Sequence, residues 1–370
     1  MRVGLLRWSL LCLVTIGVLV TLSSRAQAYP QFALKGFGDC GDCHHSPTGG
    51  GLPNAWGRQA VDATFGADTS SWWGHHDLSG AGTGPRVDLG ADVRLLPVFG
   101  GDRDALMGAF IPMLTEAGGA LGYGDWVLYG TLTTRKSAGS GPNLLLASRE
   151  HWLEYKIGAG TDLRVGRMVL PFGIRQPDHT EYVRSDFGFQ IWDQSYAIEF
   201  DWRAADWSLF ASAFAGDLTG QPRERQDRGA VASLTRALGA DMTLGLSLLG
   251  SFSSADRRTA ASLFLRTVIA GPTYALAELA AQHRSAVNGS AEDSNLDSFL
   301  RLGCFARSDL DVYLEAGQRA LVNHFSKQRI GIGANWQVLH WFEFAPEFRL
   351  EARENLPVRY LALGQLHFIY

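Results

Sequence analysis

The chain has 370 residues, a formal net charge of −4, 43 glycines and 11% aromatic residues. So mild a charge points to no nucleic-acid partner. Past the leader, no segment is long and apolar enough for a transmembrane helix, which leaves a soluble protein or a barrel with alternating strands; abundant glycine and aromatics favour the barrel.

Residues 1–28 read as a secretory signal peptide. Arg2 and Arg7 form the basic region, Leu10 to Leu22 the apolar core, and Ala26-Gln27-Ala28 the small-residue cleavage site. A membrane anchor would want an apolar run of about 20 residues, and this run is shorter. Cys12 falls in the leader, so the mature chain keeps Cys40, Cys43 and Cys304.

Residues 29–83 form the first mature unit, organised around Cys40-Gly41-Asp42-Cys43-His44. Two cysteines separated by two residues, with histidine directly after, is the attachment pattern for one c-type haem. Thiols at i and i+3 reach the two vinyl groups of a single porphyrin, and the following imidazole binds iron from the proximal side. A zinc site would want a second ligand pair, and a redox dithiol would want a βαβ setting; the sequence has neither. Export suits the same reading. The unit lacks the periodicity of a sizeable domain and is expected to lean on something larger.

Residues 84–370 change to a period of two. Val87, Leu89, Ala91, Val93 and Leu95 alternate with Asp88, Gly90, Asp92 and Arg94. The pattern returns at Tyr196–Trp202 against Ala197, Glu199, Asp201 and Arg203, at Met242–Leu248, and at Leu310–Ala316. The last strand carries Tyr360, Ala362, Gly364, Leu366, Phe368 and Tyr370 on one face. Tight turns are expected near 158–160, 204–206, 238–240, 270–272, 307–309 and 338–340, and longer loops at 137–147, 171–192, 216–228, 283–296 and 321–328. Short turns at one rim and longer loops at the other predict an all-β, transmembrane antiparallel β-barrel of about sixteen strands in the bacterial outer membrane. Apolar faces then meet lipid, and charges such as Asp92, Arg94, Glu154, Lys156, Glu199, Asp201 and Arg203 line the lumen. A β-sandwich of this length would need several domains and linkers, and none is visible.

The loop from Arg167 to Arg184 is rich in Pro, Gly, charge and aromatics. It follows the fifth strand, which makes it the third long-side loop, the one that in sixteen-stranded porins often folds inward.

Two stretches carry a family resemblance. One is Tyr29-Pro30-Gln31-Phe32 with the haem motif, Pro47, Gly49-Gly50-Gly51-Leu52, Asn54 and Gly57-Arg58. The other is Leu170-Pro171-Phe172-Gly173-Ile174-Arg175, followed by Pro177-Asp178-His179-Thr180. Together they resemble bacterial outer-membrane porin-cytochrome fusions, in which an N-terminal monohaem segment joins a β-barrel. The resemblance implies a haem held within the barrel and a role in electron transfer.

Cofactor and ligands are therefore expected as follows. One haem c is covalently attached through Cys40 and Cys43, with His44 as proximal iron ligand. His179 is the expected distal ligand, because Pro171-Phe172-Gly173 and Pro177 stiffen its loop on both sides. His75, His76 and Met168 are the alternatives. His151, His283, His324, His340 and His367 read as interfacial or lumen residues, Cys304 as a small lipid-facing residue, and the strand Trp and Tyr residues as membrane girdles. No catalytic constellation appears, so electron transfer is favoured over an enzyme. Expected partners are the outer membrane, periplasmic or surface c-type cytochromes and an extracellular electron acceptor. A solute porin whose haem segment is a plug or redox sensor is the alternative, and a peroxidase-like enzyme would require an open distal position.

Overall fold

The computed structural model describes residues 43–46, 51–54, 57, 85–102, 105–136, 144–175, 182–189, 193–216, 227–239, 241–287, 289, 292–321, 326–339 and 341–369. Its strands are β1 (Arg86–Gly101), β2 (Leu106–Tyr123), β3 (Trp126–Lys136), β4 (Leu144–Ala147), β5 (His151–Gly158), β6 (Thr161–Met168), β7 (Ser195–Ala204), β8 (Trp207–Phe214) and β9 (Arg228–Ala237). They continue as β10 (Met242–Phe252), β11 (Asp256–Ala270), β12 (Thr273–Ala286), β13 (Glu292–Arg307), β14 (Leu310–Leu321), β15 (Ser326–Leu339), β16 (Phe342–Arg353) and β17 (Arg359–Ile369). A short helix α1 (Tyr182–Asp186) lies between β6 and β7.

All pairings are antiparallel and, apart from β3–β5, join neighbours in sequence, while β1 pairs with both β2 and β17, which closes the sheet. β4 and β5 both pair with β3, at Thr133↔Ala147 and at Gly130↔His151. They are one wall strand interrupted at residues 148–150, so the seventeen described segments make a closed barrel of sixteen strands. Closure leaves no unpaired edge for lipid to meet.

The burial pattern is inverted relative to a water-soluble protein. On β7, Glu199 and Asp201 are 0% exposed while Ile198 is 56% exposed. The same alternation sets Asp311, Tyr313 and Glu315 inside and Leu314 outside on β14. A lipid-facing wall with a polar interior has this distribution. Tyr123, Trp126, Tyr155, Trp202, Trp207 and Trp336 are exposed near the short-turn rim, where amphipathic rings suit a membrane interface.

All six expected tight turns fall between strands. The sequence reading missed the turn at Gly124-Asp125 and the brief connections at 102–105, 253–255 and 354–358. Four of the expected loops were too long: Arg228 opens β9, and Leu321 and residues 326–328 belong to β14 and β15. Residues 144–147 are β4, and 283–286 with 292–296 belong to β12 and β13. Residues 283–286 and 292–296 look loop-like because these strands carry polar residues on both faces there, whereas apolar Leu144–Ala147 reads as loop only through the polar, glycine-containing stretch before it.

Candidate functional site in the barrel lumen

The described part of the haem motif sits inside the barrel. His44 bridges to Pro53, His45 N donates to the Leu52 carbonyl at 3.2 Å, and Asn54 N donates to the Cys43 carbonyl at 2.9 Å. The chain thus folds back on itself directly after the motif. Gly51 allows the reversal: its φ is +68°, and a Cβ there would lie 2.7 Å from the Tyr129 hydroxyl.

This corner docks on the inner wall near the short-turn rim. Leu52 is buried, and its N–H donates to the Tyr129 hydroxyl at 3.3 Å. His45 Nε2 lies 3.0 Å from Asp88 Oδ2 on β1. Tyr129 stacks on Trp152 at 4.7 Å, and both belong to a buried cluster with Leu52, Met168, Leu170 and Phe172. The apolar seat holds the segment and the polar contacts fix its direction.

The third long-side loop enters the same space. β6 stops at Met168, and the chain turns inward instead of continuing up the wall. Gly173 N donates to Ser247 Oγ and Ile174 N to Glu278 Oε2, both at 3.0 Å, on the far wall. Phe172 stacks on Phe189 at 4.7 Å, and Arg184 donates to the Phe172 carbonyl at 2.9 Å. The α1 end of the loop is held by Arg319 on Asp186 at 2.8 Å and by Arg258 on the Phe187 carbonyl at 2.8 Å. The expected inward fold of this loop is what the structure has, and it narrows the lumen.

Loop and motif meet at Arg175. Its Nη1 is 3.4 Å from Ser46 Oγ, and its Nη2 is 3.6 Å from Glu150 Oε1. Glu150 and Arg149 occupy the break between β4 and β5, and both side chains are buried on the lumen side. Strict alternation would send one of two successive residues outward; an irregularity in the strand brings both in. Arg149 binds Glu116 through two bonds, at 2.6 and 2.7 Å.

The residues fit a covalent haem on two observations. Cys43 lies directly before His44 in the partly buried corner, the order that a thioether to the porphyrin and an imidazole on its iron require. The His44 ring nitrogen Nδ1 is sealed from solvent without a hydrogen-bond partner. Burial, with the Arg175 guanidinium second, pulls the His44 imidazole down to about 4, so its neutral form is available as a ligand at physiological pH.

The structure brings Cys43 and His44 into the lumen and places Met168, 1% exposed, in the cluster that seats Leu52. Cys40, His75, His76 and His179 lie outside the described residues. Sequence reasoning missed Asp88, Tyr129, Glu150 and Arg175 as parts of the site. It assigned strand tyrosines and tryptophans to girdles, whereas Tyr129 and Trp152 point inward. The signal was present for Tyr129, which shares the phase of Thr131 and Thr133 and opposes the exposed Leu128 and Leu132.

By sequence, no family model and no curated protein matches the chain. Solved structures do match in three dimensions. A loop-deletion mutant of OmpT, an outer membrane protein of Vibrio cholerae, aligns with TM-score 0.63 at 9% identity, over 77% of this chain and 99% of that one. An anion-selective porin from Comamonas acidovorans aligns with TM-score 0.59 at 10% identity, over 78% of this chain and 100% of that one. The outer membrane channel DcaP of Acinetobacter baumannii aligns with TM-score 0.57 at 14% identity, over 78% and 99%. This chain has the fold of the outer-membrane porins. With its lipid-facing belt and aromatic rim, the porin-type barrel belongs in the bacterial outer membrane.

Proposed function

We propose that this porin-type barrel carries one covalent haem c in its lumen and transfers electrons at the outer membrane. The observation that carries the reading is the seating of Cys43 and His44 inside the barrel, against the inner wall and the inward loop. When bound there, haem c supplies a one-electron Fe(III)/Fe(II) couple.

In this reading residues 1–28 are a removed leader, 29–83 the haem segment and 84–370 the barrel. Cys40 and Cys43 would hold the porphyrin through thioethers, and His44 and His179 would ligate its iron. Tyr129 and Asp88 fix the segment's direction, while Leu52 and its neighbours keep water from that side. A hydrocarbon core is roughly 30 Å thick. One haem does not span it, so a periplasmic cytochrome as donor and a soluble metal complex, surface cytochrome or mineral as acceptor complete the path.

The first test is a denaturing gel stained for haem. Wild type is expected to stain and Cys40→Ala with Cys43→Ala to lose the stain; a double variant that still stains overturns the attachment. His179→Ala is expected to lose the low-spin spectrum and to gain carbon monoxide binding in the ferrous form. An unchanged spectrum moves the distal role to His75, His76 or Met168.

The porin likeness and the narrowing loop favour a second reading, a solute porin plugged or gated by the haem segment. Liposomes separate the two. Electron transfer predicts that external dithionite reduces an enclosed dye, and gating predicts ion conductance that follows the haem's redox state.

A further inference from the structure

Arginines on the inner wall are matched with carboxylates. Arg94 is tied to Asp92, Arg149 to Glu116, Arg301 to Glu315 and Arg319 to Asp186, each within 2.8 Å. Arg266 on β11 stands apart from them. The strand's alternation sends Ser262, Phe264 and Arg266 to the lumen and Leu263 outward. Among the described residues Arg266 has neither a carboxylate partner nor a hydrogen-bond acceptor, and its Nε is sealed from solvent.

Its one contact is a ring. The Arg266 guanidinium lies 6.0 Å from the centre of Phe264. Gly245 on β10 leaves room for that ring, since a Cβ there would overlap it. The guanidinium is thus seated on its apolar side while its acceptors are missing. Thr243 on β10 lies directly opposite Arg266, and Leu276 lies opposite it on β12. Both are buried in the inner wall, and the Thr243 hydroxyl has no partner among the described residues. Asp241, two residues before Thr243, accepts from Val268 N through its carbonyl at 2.8 Å and forms no ion pair with Arg266 among the described residues.

We propose that Arg266 and Thr243 form a binding site for small monovalent carboxylates on the lumen wall, toward the short-turn rim, through which such anions pass in preference to potassium. The inference rests on the second reading above, in which solutes cross the lumen. A half-buried cation without an acceptor is costly, and an arriving carboxylate relieves that cost. The terminal nitrogens of a guanidinium match the two oxygens of a carboxylate as a fork. The Thr243 hydroxyl adds a third donor, and Leu276 gives the acid's carbon skeleton an apolar neighbour. One fixed positive charge balances one monovalent anion.

The test uses the purified full-length protein in planar bilayers, under gradients of potassium acetate and of potassium chloride. Wild type is expected to favour acetate over potassium, read from the sign of the reversal potential, with an acetate conductance that saturates as concentration rises. Arg266→Gln is expected to lose both the preference and the saturation. Arg266→Lys keeps the charge without the fork, so it should retain anion preference in chloride and lose saturation in acetate. A wild type without acetate saturation, or an Arg266→Gln protein that matches wild type, overturns the proposal. So does an Arg266→Lys protein that saturates as wild type does, because a bare charge would then suffice. If Arg266→Gln fails to insert, Thr243→Val takes its place, and unaltered acetate saturation overturns the proposal. A wild type that inserts with its boiled-to-unboiled gel shift intact, yet passes no ions, overturns the porin reading itself and this inference with it.

Discussion

Glu199 and Arg164 form an ion pair across β7 and β6 with both side chains sealed from solvent on the lumen side of the wall. Ser212 Oγ donates to the second Glu199 oxygen at 2.6 Å, and the Arg164 guanidinium lies 5.1 Å from the centre of the Trp152 ring. Glu199→Ala removes the carboxylate bonded to this buried guanidinium and leaves it only Glu154, its cross-strand neighbour on β5. Breaking a buried pair from one side costs about 3–5 kcal/mol. The expected outcome is a lower temperature at which the fast-migrating folded band converts to the slow one on a mild-detergent gel. Arg164→Ala together with Glu199→Ala is expected to be less damaging than the two single losses added, because neither member of the pair is then left buried without the other.

Ile198, the neighbour of Glu199 on β7, tests the other side of the wall. It is exposed and pairs with Val165 and Ala213, both inside the apolar belt. On a water-facing surface Ile198→Arg would change stability by about 0.5 kcal/mol or less. On a lipid-facing barrel wall a cation near the midplane costs about 2–4 kcal/mol. The expected result is a reduced folded yield in lipid vesicles, with little change when arginine replaces an exposed loop residue instead. An unaffected yield would contradict a lipid contact at this position.

The difference between these two residues was readable from the sequence alone, because Ile198 and Glu199 occupy opposite phases of a period-two run. The same holds for Asp311–Glu315 on β14, and from such runs the barrel and its strand count follow. The break between β4 and β5 was not readable. Residues 137–147 look like one polar loop, and only the pairing of β3 with both pieces reveals a single wall strand. The chemistry of the site divides in a similar way. Cys43 and His44 announce themselves by spacing, a local property. Their seat depends on contacts between distant positions, such as Leu52 with Tyr129 and Arg175 with Ser46. No local pattern encodes which inner-wall residues a folded-in segment will meet.

The inward loop gives a further prediction at Gly173. Its φ is +60°, and a Cβ would overlap the Glu278 carboxylate that receives the Ile174 N–H. Gly173→Ala therefore adds backbone strain of roughly 1–2 kcal/mol and displaces the carboxylate that anchors the loop. The loop is expected to leave the far wall while the barrel stays closed. Planar-bilayer recordings should show higher single-channel conductance than wild type, with an unchanged shift between boiled and unboiled protein on a gel.

Asp186 makes the docking of this loop depend on pH. Burial holds its carboxyl above the ordinary range, although Arg319 and then Lys327 act in the opposite direction. Ser185 and the 0% exposed Asp297 of β13 also face it, so a second carboxylate shares the space. For an acid with a raised folded value, the stabilising contribution is present while the group is protonated. That contribution is lost as pH rises through the folded value. Docking of α1 is therefore expected to weaken from the acidic to the alkaline side, seen as faster tryptic cleavage within the loop and as rising conductance. Asp186→Asn keeps the shape, removes the titrating charge and leaves Arg319 beside Asp297, so its cleavage rate should be flatter with pH and lowest relative to wild type at the alkaline end. If wild type is cleaved at the same relative rate across that range, or if Asp186→Asn retains the full dependence, Asp186 is not the group that loosens the loop.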